Sequence, residues 1–196
     1  MLQFSEIKMV SVFVLTAMTI FQTAVAEEYT AVIWADVAVD ETGHVTDVDV
    51  ITGLPDPILS VIAEKVSVWE FEPARQKGEA VPSTTAVFTS VTFADDENGD
   101  ISITVEQVRS GPRPVINPPP EYPGALRGDK IKGSVELQYM VMADGSVSDV
   151  RVIESSPQGV FDDIAVKAIQ GWSFKPRTVN GISINTPVRQ IIEFNP

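Results

Sequence analysis

Gly145-Ser146-Val147-Ser148-Asp149-Val150-Arg151-Val152-Ile153, followed by Trp172-Ser173-Phe174-Lys175-Pro176, is a pattern the chain carries twice. The earlier copy reads Gly43-His44-Val45-Thr46-Asp47-Val48-Asp49-Val50-Ile51, followed by Trp69-Glu70-Phe71-Glu72-Pro73. In each copy a turn glycine opens an alternating strand, an amphipathic stretch follows, and a Trp-x-Phe-x-Pro segment closes the unit. Self-similarity over a unit on the order of 50 residues, with nearly constant internal spacing, sets the architecture before any single element does. The expected fold is α+β: two tandem modules, each a small antiparallel sheet with a helix packed on one face.

Around the later copy, Val135, Leu137, Tyr139 and Val141 alternate with Glu136, Gln138 and Met140, the pattern of a half-buried strand. Ala143-Asp144-Gly145 turns it into the return strand. Phe161, Ile164, Ala165, Ala168, Ile169 and Trp172 then mark one helix face, Asp162, Asp163 and Lys167 lie on the other, and Gly171 suits the helix end. Asn180-Gly181 turns again before a last strand from Pro187 to Phe194. A short helical turn is expected around Ala125 and Leu126.

Around the earlier copy, the apolar run Tyr29 to Val39 and the strand Val45 to Ile51 make a hairpin through Asp40-Glu41-Thr42-Gly43. Asp56-Pro57 reads as an N-cap followed by proline at the first helical position. Ile58, Val61, Ile62, Val66 and Trp69 recur at helical spacing. Thr85 to Phe93 closes the module as a strand. An addition follows: a polar turn around Asn98-Gly99, a pair that favours tight hairpins, then an alternating strand from Ile101 that pairs with the preceding strand and covers its edge. Ser110 to Pro120, with six prolines or glycines in Gly111, Pro112, Pro114, Pro118, Pro119 and Pro120, reads as a stiff linker of polyproline character.

Met1 to Ala26 reads as an export signal rather than part of the fold. Lys8 is the positive flank, Met9 to Phe21 the apolar run, and Ala24-Val25-Ala26 the small-x-small site, with cleavage between Ala26 and Glu27. An uncleaved anchor helix is the competing reading. The resulting organisation is a signal over 1–26, a divergent module with an extra hairpin over 27–109, a proline-rich linker over 110–120 and a second module over 121–196.

The formal net charge is −13, and it is unevenly placed. Residues 27–111 hold 17 acidic and 4 basic side chains, whereas residues 112–196 hold 9 of each. An acidic body gains nothing from releasing phosphate counterions, so nucleic acid is not an expected partner, and anionic lipid surfaces are disfavoured for the same reason. Cysteine is absent, which removes disulfides, thiolate metal sites and a cysteine nucleophile.

Catalytic constellations are missing as well. His44 is the single histidine and belongs to a solvated turn; with scattered carboxylates it makes neither a triad nor a zinc set. Asp95, Asp96, Glu97, Asn98 and Asp100 offer oxygen ligands, but not in the order of a calcium loop, and an acidic hairpin tip needs no metal. Asp162 and Asp163 are neighbours on a helix, about 100° apart, and share no site. Trp69, Phe71, Trp172 and Phe174 are read as packing between helix and sheet. No cofactor is implied.

The later copy resembles the C-terminal domain of the TonB energy-transducer family. The residues that carry the resemblance are Pro120-x-Tyr122-Pro123, Gly133-x-Val135, Asp144-Gly145-x-Val147-x-Asp149-Val150, Phe161-Asp162 with Ala165 and Ala168, Trp172-x-Phe174-x-Pro176, Asn180-Gly181 and Ile192-x-Phe194. The earlier copy resembles the same domain more weakly, without the Tyr-Pro entry and with Leu59 in place of the helix aspartate. The resemblance implies a periplasmic, non-enzymatic module that pairs a sheet edge with a short segment of an outer-membrane receptor or other envelope partner, associated with transport. Two departures stand out: the anchor-helix histidine of the family is absent, and the linker spans about 35 Å at about 3.1 Å per residue, far short of a periplasm-crossing spacer. The alternative to a periplasmic adaptor is a membrane-anchored transducer subunit that keeps its N-terminal helix.

The expected partner-binding edge is Val188, Arg189, Gln190, Ile191, Ile192, Glu193 and Phe194, whose unpaired backbone groups would accept an added strand. The alternative is that this edge is closed by the first module or by a second protomer in a homodimer.

Overall fold

Alternation with a period of two, interrupted twice by helical periodicity, yields a sheet-dominated mixed fold with two α-helices among the described residues. The computed structural model describes residues 28–95 and 100–196. The expected export signal with its cleavage site at Ala26 and Glu27, and the turn expected over 96–99, fall outside the described residues.

The first half begins with strand β1 (Glu28–Val39), which turns into β2 (Val45–Ile51). Helix α1 (Asp56–Ser67) crosses back, a small hairpin of β3 (Ala74–Gln76) and β4 (Glu79–Val81) follows, and β5 (Ser83–Asp95) runs antiparallel to the whole of β1, from Glu28 opposite Ala94 to Val39 opposite Ser83. The inward residues Ile33, Ala35, Val37 and Val39 of β1 and Val87 and Val91 of β5 meet Ile58, Ile62 and Val66 of α1 in one core. Each fully buried valine or isoleucine there contributes about 1.5–3 kcal/mol. Asp56 is the first residue of the helix rather than its cap: the extended Pro55 holds the capping position, and its carbonyl accepts from Ile58 N–H and Leu59 N–H.

The second half repeats this order with one short strand added after its helix. Strands β8 (Gly133–Val141) and β9 (Val147–Ser156) form a hairpin, α2 (Asp162–Gln170) packs on it, and β13 (Thr186–Phe194) returns beside β8. Between α2 and β13 lie β10 (Ser173–Lys175) and a short hairpin of β11 (Thr178–Val179) and β12 (Ile182–Ser183). Val135, Leu137, Tyr139, Val141, Phe161, Ala165, Ile169, Phe174, Ile192 and Phe194 form its core. The strand order is β5-β1-β2 in the first half and β13-β8-β9 in the second.

The two turn glycines show why both copies close alike. Gly43 and Gly145 have φ of 95° and 85°, and a Cβ on either would overlap the carbonyl oxygen of Phe71 or Phe174. Phe71 N–H donates to Gly43 O at 2.9 Å, and Phe174 N–H donates to Gly145 O at 2.9 Å. The Trp-x-Phe-x-Pro segment is therefore pinned against the hairpin turn, an approach only glycine permits.

The halves are joined by more than the chain between them. Strand β6 (Ile101–Gly111) pairs with β5, and the segment read as a polyproline linker contributes β7 (Arg113–Ile116), paired with β10. Pro114 is tolerated there because it sits where the β7–β10 register shifts. Strand β11 of the second half extends the first sheet by pairing Thr178 and Val179 with Thr84 and Ser83 of β5.

Candidate functional site

Strand β13 holds every residue of the expected binding edge. It pairs in unbroken register with β8, Val188 opposite Tyr139 and Phe194 opposite Gly133, and among the described residues it has no strand on its other side. Thr186, Ile192 and Phe194 point into the core; Arg189, Ile191 and Glu193 point outward, with Ile191 58% exposed. Arg189 Nε lies 3.1 Å from Glu136 Oε1 on that outer face. A strand in this position presents a row of free backbone donors and acceptors and a mixed outer face of apolar and charged side chains.

Three groups that the sequence reading passed over sit where the halves meet. Asp36 of β1 is bridged by Arg113 (Nε to Oδ1, 3.0 Å) and Lys175 (Nζ to Oδ2, 2.7 Å), with the Asp36 side chain only 13% exposed. Burial pushes its carboxyl up, but the hydrogen bonds and charges of Arg113 and Lys175 outweigh that and hold it below its ordinary value. Asp36 interrupts an otherwise apolar run, which is the one signal of it in the sequence.

Arg109 of β6 is the second. It lies opposite Phe88, which lies opposite Trp34, and its guanidinium rests 5.0 Å and 5.3 Å from those two ring centroids. From there its Nη1 donates to Gln190 Oε1 of β13 at 3.1 Å. Tyr139 is the third: among the described residues its buried hydroxyl has no hydrogen-bond partner, and burial raises its pKa to about 12 against the opposing pull of Arg109.

The remaining candidates are structural. His44 Nδ1 meets the Thr42 hydroxyl at 2.6 Å in an exposed turn, and its Nε2 is 3.9 Å from Glu70. Asp40 and Asp144 accept hydrogen bonds from Thr42 and Ser146, which lower both carboxyls in their respective turns. Phe174 is buried, while Trp69, Phe71 and Trp172 pack partly buried against the two cores. Among the described residues no group of three metal-binding side chains is found, and no helix is long and apolar enough to cross a membrane.

Among the described residues, the fold and this edge define a sheet-dominated α+β arrangement with two α-helices and an exposed strand border. Residues 118–196 match the family model described as Gram-negative bacterial TonB protein C-terminal, and this segment belongs to the TonB C-terminal domain family. The chain is 30% identical over 82 residues to Protein TonB of Escherichia coli strain K12, covering 41% of this chain and 34% of that protein. It is 43% identical over 60 residues to Protein tonB2 of Pseudomonas aeruginosa, covering 31% and 22%. The solution NMR structure of the Pseudomonas aeruginosa TonB CTD is 28% identical, with a TM-score of 0.40 over 45% of this chain and 90% of that one. The chain thus spans about a third or less of the length of these two curated relatives.

Proposed function

We propose that the chain is a non-enzymatic periplasmic protein, released from its signal after Ala26, that binds an extended segment of an outer-membrane receptor or other envelope partner and serves transmembrane transport. The partner adds a strand to the border of β13 formed by Val188 to Phe194. The observation that carries this reading is a nine-residue strand with its full ladder to β8 on one side and, among the described residues, none on the other. Main-chain hydrogen bonds would supply affinity, and alternate side chains would supply choice of partner.

The first half, on this reading, is a divergent copy of the second. The shared element order and the matching contacts of Gly43 with Phe71 and Gly145 with Phe174 support it. Its β5 corresponds to β13, but β6 already lies beside it, so binding belongs to the second half.

Titration of the exported chain with peptides from the amino-terminal ends of outer-membrane receptors, followed by amide NMR, tests the proposal. Shifts concentrated in β13 are expected, with the amides of β5 unmoved. Saturable binding with shifts confined elsewhere, or no binding by any such peptide, would discard it.

A further inference from the structure

Strand addition leaves open which segment is chosen, and the contact between β6 and β13 bears on that. Inward-facing side chains of β13 share a face with those of any strand laid beside it, and directly opposed residues on one face lie about 5 Å apart. On that face, next to Gln190, stands the Arg109 guanidinium, brought from a strand 81 residues away in the chain. It is one of only 4 basic side chains among residues 27–111. The rings of Phe88 and Trp34 hold it at the border, because a guanidinium stacks on aromatic faces while keeping its donors free in the ring plane. Among the described residues, one of its five donors is used, by Gln190, a neutral acceptor. The Tyr139 hydroxyl, without a hydrogen-bond partner among the described residues and 2% exposed as a residue, lies within the reach of the same charge.

We propose that Arg109 is a specificity-determining residue of the docking edge: it selects a partner segment that carries an acidic side chain opposite Gln190. The inference rests on the strand-addition reading above. A carboxylate placed there takes a charge-assisted, two-pronged hydrogen bond from the guanidinium, which a glutamine at the same place cannot match. The first half thereby contributes a residue to the site although its own edge is closed. The other basic group on β13, Arg189, points to the opposite face and is engaged by Glu136, so it does not substitute for Arg109.

The test uses eight-residue peptides of alternating valine and threonine with one glutamate, glutamine or lysine walked through the positions, titrated against the exported chain and its Arg109→Gln and Arg109→Glu variants. The parent should prefer glutamate over glutamine by about three- to tenfold at one position of the walk. Arg109→Gln should abolish that preference, and Arg109→Glu should turn the preference to lysine. The reversal keeps the test independent of any stability the ring stack contributes. A glutamate preference that survives both variants, or peptide binding with no preference at any position, overturns this inference and leaves strand addition standing. Absence of binding by every peptide overturns both.

Discussion

Strands β5 and β13 hold the same place in their halves: each follows a helix and a short hairpin, and each lies antiparallel to the strand that opens the half. Their other sides differ. The far side of β5 is taken by β6 from Ala86 to Asp95 and by β11 at Ser83 and Thr84, whereas β13 has only β8 beside it among the described residues. The difference is visible in composition. Interior β5 buries Val87, Thr89 and Val91 completely, and the Thr89 hydroxyl donates to Ile33 O at 3.0 Å. Border strand β13 alternates Arg189, Ile191 and Glu193 toward solvent, a charged outer face that discourages indiscriminate pairing. One strand position can thus be a sealed structural member or an accessible border, depending on whether the following segment folds back on it.

The comparison is meaningful only if the halves are built alike, and the turn glycines give the largest test of that. Alanine at Gly43 or at Gly145 must adopt positive φ and displace the Phe71 or Phe174 carbonyl. Each change should cost about 3–4 kcal/mol, read by urea unfolding with the slope unchanged. Equal losses at the two sites are the expected outcome. A loss at Gly145 with none at Gly43 would break the equivalence of the halves.

A somewhat smaller effect is expected where the halves meet. Asp36→Ala leaves Arg113, 18% exposed, without its anion, while Lys175, 53% exposed, returns to water. The expected loss is about 2–3 kcal/mol, below that of a fully buried pair because one partner is half solvated. The sign of the pH dependence follows from the lowered carboxyl. Its contribution is complete above the ordinary value of 3.8 and disappears as pH falls through the still lower folded value. Asp36→Asn should therefore lie below the parent in stability at neutral pH and approach it as pH falls below about 3.8. A constant gap between the two down to pH 2 would mean that Asp36 carries no such linkage.

Much of this architecture was legible because period-two alternation and helical spacing depend on which face is buried, and burial is a local property of each element. Val135 to Val141 and Pro187 to Phe194 could be placed that way, as could the glycines at the turns. The joint between the halves was not legible in the same way. Arg113 to Ile116 looked like a rigid connector because Pro114 removes a ladder donor, yet those residues form a strand against β10, anchored by Arg113 on Asp36. Arg109 likewise carries no local signal of its role: its partners Trp34 and Gln190 lie 75 and 81 residues away in sequence, and only the folded sheet brings them together. Long-range ion pairs and stacking depend on topology, and topology is what a pattern of short-range spacings leaves unspecified.

The smallest effect expected bears most directly on the two borders. Val105 of β6 pairs with Val91 and packs against the first core, so Val105→Ala should cost about 1 kcal/mol through lost burial and loosen β6 from β5. Ile191 stands opposite Glu136 with most of its surface in solvent, so Ile191→Ala should stay within about 0.5 kcal/mol. Amide hydrogen exchange sharpens the contrast beyond what those energies resolve. In the parent, successive amides of β5 should all be slow, since both sides of the strand are laddered, while β13 should alternate slow and fast as its donors face β8 or water in turn. Val105→Ala should move β5 toward the alternating pattern, and Ile191→Ala should leave both strands as they were. Uniformly slow exchange along β13 in the isolated protein would mean that its outer donors are already satisfied, and the border would then have nothing to offer an incoming strand.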